Sequence, residues 1–288
     1  GLLIGIARLS NNYLISKLAG GYIELFRNIP VLLQILFWYN LFINAFPHPK
    51  QSFSFFDIAF LNQRGLYMPK PIPEEGFIFV ALSLLIGIIT AYFIKKFYKK
   101  KHELTGIHTS TWPYTTALVL GLPLIVYLIL GSPLQFDLAV LGKFNLKGGM
   151  TIVPEFLALA FALSVYTATY IAEAIRSGIE AVDKGQKEAA AAIGLSPVQS
   201  LKLIVLPQAL RVAIPPTINQ YLNLTKNSSL ATVIGYPELM SSFGGTVLNQ
   251  VGQAVEILGM AMLVYLVISL VISLLLNYVN KKMAIQGR

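Results

Sequence analysis

The groups that could do chemistry in this 288-residue chain stand within apolar stretches, where charge is costly and usually functional. In the stretch 211–235, Asn219, Asn223, Lys226 or Asn227, and Leu230 recur at i, i+4 and i+7 or i+8. That spacing puts the amides and the ammonium on one face of a helix. Arg27 and Gln34 lie seven residues apart, also on one face of theirs, and Glu173 stands near the end of another stretch. Lys226, Arg27 and the Asn amides offer donors to a carboxylate, and Glu173 offers an acceptor to an ammonium. A plainer reading stays open. Lys226 pairs with Glu173 or Glu24 and only locks helices together, and Arg27 snorkels to an interface. Thr167 and Thr169 read as helix–helix hydrogen-bonding groups.

The elements that position these groups follow from composition. Hydrophobic residues make up 55% of the chain and charged residues 12%, against roughly 25% charge in a soluble domain. Such a chain cannot cover a water-facing surface, which excludes a soluble enzyme and a disordered chain. Five apolar stretches have the length of about 20 residues that a spanning helix needs: 22–46, 76–94, 113–131, 153–176 and 254–279. The sixth, 211–235, is weaker, because it carries Pro215, Pro216, Lys226 and several Asn and Ser. Pro215-Pro216 are expected to open it by freeing backbone carbonyls. The chain begins Gly1-Leu2-Leu3-Ile4, an apolar stub too short to span, and reads as N-terminally truncated.

The net charge of +9 is that of a membrane protein with basic inner loops, not of a nucleic-acid binder. With the stub exiting inward, 15 of the 22 Lys and Arg fall on the inner side and 5 on the outer; Arg27 and Lys226 fall within spans. The positive-inside rule then puts the C-terminus in the cytoplasm and requires the weak sixth span. The outer loop 47–75 shows no long periodic run and reads as irregular or partly re-entrant. There is no Cys, hence no disulfide framework or thiolate metal site. There is no G-x-x-x-x-G-K-[ST], H-E-x-x-H or G-x-S-x-G; Gly142-Lys143 is followed by Phe144. His48, His102 and His108 fall in expected loops. No catalytic or metal-ligating set emerges.

The inner loop 180–210 is the most informative segment. Lys187–Ile193, with four consecutive Ala, favours helix. Gly194 is a natural stop. Ser196-Pro197 restarts a helix as N-cap and first position. Val198, Leu201, Ile204 and Val205 follow at helical spacing until Pro207, expected to end or kink the second helix. Small side chains on the first helix would let another protein's backbone approach closely; packing on its own bundle is the alternative.

Glu188-Ala189-Ala190, three residues, Gly194, nine residues, Ile204, one residue, and Leu206-Pro207 resemble the EAA motif of ATP-binding-cassette importer permeases at every position. The resemblance extends to Glu24-Leu25-Phe26-Arg27-Asn28-Ile29-Pro30, Tyr170–Ile179, Asp183-Lys184-Gly185-Gln186, Asn219–Ala231, Ile234-Gly235-Tyr236-Pro237 and Gly245–Glu256. These runs are similar to the polar amino-acid (HisM/HisQ-like) permease family, best to the Q-type subunit of its general L-amino-acid branch, as is the insert around 47–150. The resemblance implies an all-α polytopic, MetI-like type I importer transmembrane domain over 1–288. It implies import of L-amino acids across a bacterial inner membrane by alternating access. A separate ATPase subunit would use the ATP, and this chain would bind no cofactor. Further implied partners are a second homologous permease subunit and a periplasmic solute-binding protein. By the same resemblance Gly185, Glu188, Ala189, Ala190, Gly194, Ile204, Leu206 and Pro207 couple to the ATPase, a dock that a bulky residue at Gly194 should break. Arg27, Gln34, Glu173, Asn219, Asn223, Lys226 and Asn227 are the pathway candidates. An ion-coupled amino-acid carrier is the rival, but it would have no need of an Ala-Gly docking loop.

Overall fold

The computed structural model describes residues 1–106, 109–142 and 145–284. His108, Lys143, Phe144 and Arg288 lie outside them. Contacts divide the chain into two compact units where the sequence suggested one transmembrane domain. One holds Gly1–Phe46, Gln63–Gly65 and the chain from Ile152 on; the other holds Pro47–Asn62 and Leu66–Thr151.

The first unit opens with α1 (Leu2–Arg8), α2 (Tyr13–Asn28) and α3 (Val31–Ala45). Here the structure departs from the expected helix 22–46, because α2 and α3 meet at a 103° bend. The cause is local. Pro30 cannot donate an N–H, and it pushes Ile29 to extended backbone at φ −91°, ψ 129°. Arg27 and Gln34 therefore stand on different helices.

In the second unit the loop 47–75 is not irregular. It contains β1 (Phe53–Phe55), β2 (Ala59–Asn62), β3 (Gly65–Met68) and β4 (Lys70–Pro73). Next come α4 (Phe77–Thr105) and α5 (Trp112–Thr116), which runs through a π-helical turn at Ala117–Gly121 into α6 (Leu122–Ile129). Then follow β5 (Leu134–Asp137), β6 (Val140–Leu141), β7 (Leu146–Lys147) and β8 (Met150–Ile152). A four-stranded sheet has the order β1-β2-β3-β8, and β4 pairs antiparallel with β5, Lys70 opposite Asp137. Pro71 and Pro73 are tolerated because β4 is an edge strand. Strands of two to four residues are too short to impose a readable alternation on the sequence. Gly87 lets α4 approach α5–α6 closely: a Cβ there would lie 2.8 Å from the Leu118 carbonyl oxygen.

The rest of the first unit is α7 (Pro154–Glu180), α8 (Lys184–Ala192), α9 (Pro197–Ser200), a π-helical turn Leu201–Val205, α10 (Leu206–Asn227) and a 3-10 turn Ser228–Ile234. A second π-helical segment, Ser241–Val247, leads through α11 (Leu248–Val251) to α12 (Ala254–Ala284). Among the described residues, five helical stretches are long and apolar enough to cross a membrane: Phe77–Thr105, Trp112–Ile129, Pro154–Glu180, Pro197–Ile234 and Ala254–Lys281. The α2–α3 pair qualifies only as one bent span. Pro207, expected to end or kink the second loop helix, does not end it. The π turn just before it absorbs the missing hydrogen bond, so helix runs on from Pro197. Nor do Pro215 and Pro216 open α10; both lie inside it on its exposed side.

α7 is the post of this unit, and α1, α2, α3 and α10 all pack on it. Ala174, Ile175, Ile179, Val205, Ala209 and Ala213 form one buried cluster. Ile35, Leu159, Ala162, Leu163, Ala231 and Ile234 form another. Lipid gives helices no hydrophobic reason to associate, so close approach of small residues does the work. Gly178 is the tightest such point: a Cβ there would meet the Ala209 carbonyl oxygen at 2.5 Å. Gly178→Leu should therefore separate α7 from α10 and cost about 1–3 kcal/mol. A lower Tm for the detergent-solubilised protein checks this, with Gly21→Leu, which meets nothing within 4 Å, unchanged.

Candidate functional site: an exposed helix pair and a polar face on the tenth helix

The loop between α7 and α10 forms a capped helix pair. The Asp183 carboxylate accepts from the Gly185 N–H at 2.6 Å and starts α8. A side chain at Gly185 would crowd that oxygen, at 2.9 Å. At the far end, the Leu195 N–H donates to the Ala190 carbonyl at 3.1 Å and the Gly194 N–H to that of Ala191 at 3.0 Å. This is a Schellman stop, and Gly194 sits in its left-handed position at φ +81°. The Ser196 hydroxyl then accepts from the Gln199 N–H while the Gln199 side chain accepts from the Ser196 N–H, a reciprocal capping box. Nothing lies within 4 Å of where a Gly194 Cβ would be, so bulk is not what excludes a side chain there; the backbone conformation is.

The coupling candidates separate by exposure. Gly185, Glu188, Ala189, Gly194 and Pro207 are exposed, Ile204 and Leu206 are half-buried, and Ala190 is fully buried. α8 rests on the π turn of Leu201–Val205 and holds its outer face clear of the bundle. Ile193 and Val198, 73% and 72% exposed, flank the Gly194 turn. A two-helix prominence with small residues and an apolar rim has the shape and surface that another protein can grip.

The pathway candidates do not form one cluster: Glu173 lies within electrostatic reach of Arg27, Gln34 stands on α3, and the others stand on α10. Asn219, Asn223 and Lys226 share the exposed side of α10, with Asn227 half-buried beside them, while Ala209, Ala213 and Ile218 face inward. Lys226 makes no ion pair among the described residues, and it lines a cavity of about 810 Å³ with Met240, Leu258, Ala261, Leu263 and Tyr265. Glu173 does not face it. The Arg176 Nε donates to both Glu173 oxygens at 3.0 and 3.2 Å, and the Arg176 Nη1 reaches Glu180 at 2.6 Å. Arg27 stands 3.9 Å from Glu24 on the same helix.

Gln34 turns its amide nitrogen onto the neighbouring backbone. It is 3% exposed, and its amide donates to the Phe26 and Ile29 carbonyls at 2.7 and 2.9 Å. It caps the bend between α2 and α3. The Thr169 hydroxyl donates to its own helix, at the Tyr166 carbonyl, rather than across to another.

Sequence reasoning missed Glu238. It follows the 3-10 turn, in the connection between the long helices. Its carboxylate accepts from the Thr232 hydroxyl, the Tyr265 hydroxyl at 2.8 Å, the Met240 N–H at 2.8 Å and the Ser241 N–H at 2.7 Å. Burial pushes the carboxyl up, but these donors outweigh it and hold the group below its usual range. The sequence signal was a Glu followed three residues later by Ser, a capping box with the roles reversed.

With this geometry in place, the comparisons with known proteins bear on it directly. The family described as "Binding-protein-dependent transport system inner membrane component" matches residues 1–285. The putative amino-acid ABC transporter permease protein YhdX of Escherichia coli (strain K12) is 51% identical over the whole chain, which covers 73% of that protein. The general L-amino acid transport system permease protein AapQ of Rhizobium johnstonii is 50% identical over the whole chain, covering 72% of it. The glutamate/glutamine/aspartate/asparagine transport system permease protein BztB of Rhodobacter capsulatus is 38% identical over 98% of this chain and 73% of its own length. Among solved structures, an amino acid ABC transporter with histidines matches at a TM-score of 0.54 and 20% identity, over 98% of this chain and 82% of that one, which supports the MetI-like permease fold. The exposed helix pair, the apolar helices and these matches agree: the chain belongs to the family of inner-membrane components of binding-protein-dependent transport systems.

Proposed function

We propose that this permease subunit moves L-amino acids inward across a bacterial inner membrane, with its C-terminus in the cytoplasm. The observation that carries the reading is the capped pair α8–α9, which exposes Glu188 and Ala189 beside the left-handed Gly194 turn on the side that the basic residues assign to the cytoplasm. Relatives whose names specify amino-acid or L-amino-acid permeases support the substrate class. The partners are ATPase subunits, a second homologous permease subunit and an external solute-binding protein. ATP is used by the ATPase subunits, and this chain binds no cofactor.

In this reading Gly185, Glu188, Ala189, Gly194 and Pro207 face the ATPase, while Ala190, Ile204 and Leu206 anchor the pair to the bundle. ATPase closure moves the pair, and the push reaches the pathway because helix runs without interruption from Pro197 to Ile234. It can shift the permease only by favouring one of its two states over the other. Asn219, Asn223, Lys226 and Asn227 line the pathway. The ammonium of Lys226 has no anionic partner among the described residues, which suits it to a substrate carboxylate. Arg27, Gln34 and Glu173 are left out, since their partners lie within the protein.

The test is co-purification of the complex with its ATPase subunit. An L-residue at the left-handed position costs roughly 1–2 kcal/mol, so Gly194→Val should weaken ATPase retention about tenfold without unfolding the membrane bundle. Undiminished retention removes the coupling assignment. Lys226→Met should raise the KM for amino-acid uptake by about tenfold or more, the loss of one charge-assisted hydrogen bond, while basal ATPase activity stays. An unchanged KM takes Lys226 out of the pathway.

A further inference from the structure

We propose that Glu238 is a positioning residue for the cavity beside Lys226: it ties Tyr265 of α12 and the backbone at Met240, two walls of that cavity, to the outer end of α10. The inference rests on the reading that the Lys226 face lines the pathway. Glu238 spends its four hydrogen bonds on three elements. Thr232 belongs to the 3-10 turn that continues α10 beyond Lys226, Met240 and Ser241 open the next helix, and Tyr265 lies 27 residues away on α12. A group that served only to start the helix after it would need the Ser241 pair alone, in which the Ser241 hydroxyl also accepts from the Glu238 N–H at 2.9 Å. The bonds to Thr232 and Tyr265 add nothing to that cap. They join the segments on either side of the left-handed Gly235, whose φ is +75°.

What Glu238 joins is the least regular helical backbone of its unit. The 3-10 turn Ser228–Ile234 lies before it and the π-helical segment Ser241–Val247 after it. Departures from α-helical hydrogen bonding mark places where a helix can shift. A carboxylate with donors from both sides and from α12 holds such a region in one arrangement. Met240, Tyr265 and Lys226 line the same cavity of about 810 Å³. Loosening the tie therefore changes the room beside the ammonium rather than the ammonium itself.

These 288 residues hold no Cys, so an introduced thiol is read on this chain against the same membranes without it. Leu258→Cys, in the cavity wall, is labelled with a maleimide in membranes holding the assembled transporter. Tyr265→Phe and Glu238→Gln should each speed labelling about fivefold, the equivalent of one hydrogen bond of about 1 kcal/mol. Ser241→Ala, which touches only the cap, should not. In uptake of radiolabelled L-glutamine, Tyr265→Phe should raise KM with kcat little changed. Equal labelling in all variants, or Ser241→Ala matching Tyr265→Phe, overturns the proposal and leaves Glu238 a helix cap. Faster labelling in Tyr265→Phe together with no KM effect of Lys226→Met upholds the tie and overturns the pathway reading instead. A KM effect of Lys226→Met with no change in labelling does the reverse.

Discussion

A helix in hydrocarbon can break only where the chain itself satisfies the freed backbone groups, because lipid offers no hydrogen bonds. The irregular points of this protein follow from that constraint. At the bend between α2 and α3, the Gln34 amide takes up the Phe26 and Ile29 carbonyls. After the 3-10 turn that ends α10, Glu238 takes up the Met240 and Ser241 N–H groups. In the loop, before Pro207, a π turn re-registers the ladder so that the missing donor is absorbed even where water is at hand. On the aqueous side, where water could have helped, the loop still caps both of its helices, through Asp183, the Gly194 turn and Ser196.

The helix on which the others of this unit pack is α7. Its inner end carries Gly178, in backbone contact range of Ala209, and the Glu173–Arg176–Glu180 ion cluster. Small residues make the α7–α10 contact short and flat, a surface along which helices can tilt without repacking large side chains. Helix is continuous from α9 through the polar face of α10 to Ile234. The same continuity explains why Pro215 and Pro216 are tolerated. They lie on the exposed side and cost the Arg211 and Val212 carbonyls their helical donors, but the backbone does not open.

Charges divide into the satisfied and the available. Glu173 is chelated by Arg176, Arg27 stands near Glu24, and Glu238 is held by four donors. Lys226 faces an apolar cavity without an anionic partner among the described residues. A paired charge fixes structure. An unpaired one in apolar surroundings is held at a cost that a bound anion can relieve.

The sequence alone determined what depends on neighbours in the chain. Apolar runs of spanning length set the class and the long helices. The Gly194 stop and the Ser196-Pro197 restart were legible because a left-handed turn and an N-cap are decided by a few adjacent residues. The spacing of Asn219, Asn223 and Lys226 gave their shared face because helical geometry is periodic. The tertiary structure decided the rest. The partner of Lys226 was open in the sequence, since Glu173 lies on another helix and is claimed by its own neighbour Arg176. The bend at Pro30, not legible as such in the sequence, set the Gln34 amide nitrogen on the Phe26 and Ile29 carbonyls. The strands of 53–73 left little trace because they are too short for an alternation to show, and β4 finds its partner β5 far along the chain; the tie between Glu238 and Tyr265 likewise joins residues that no local period records.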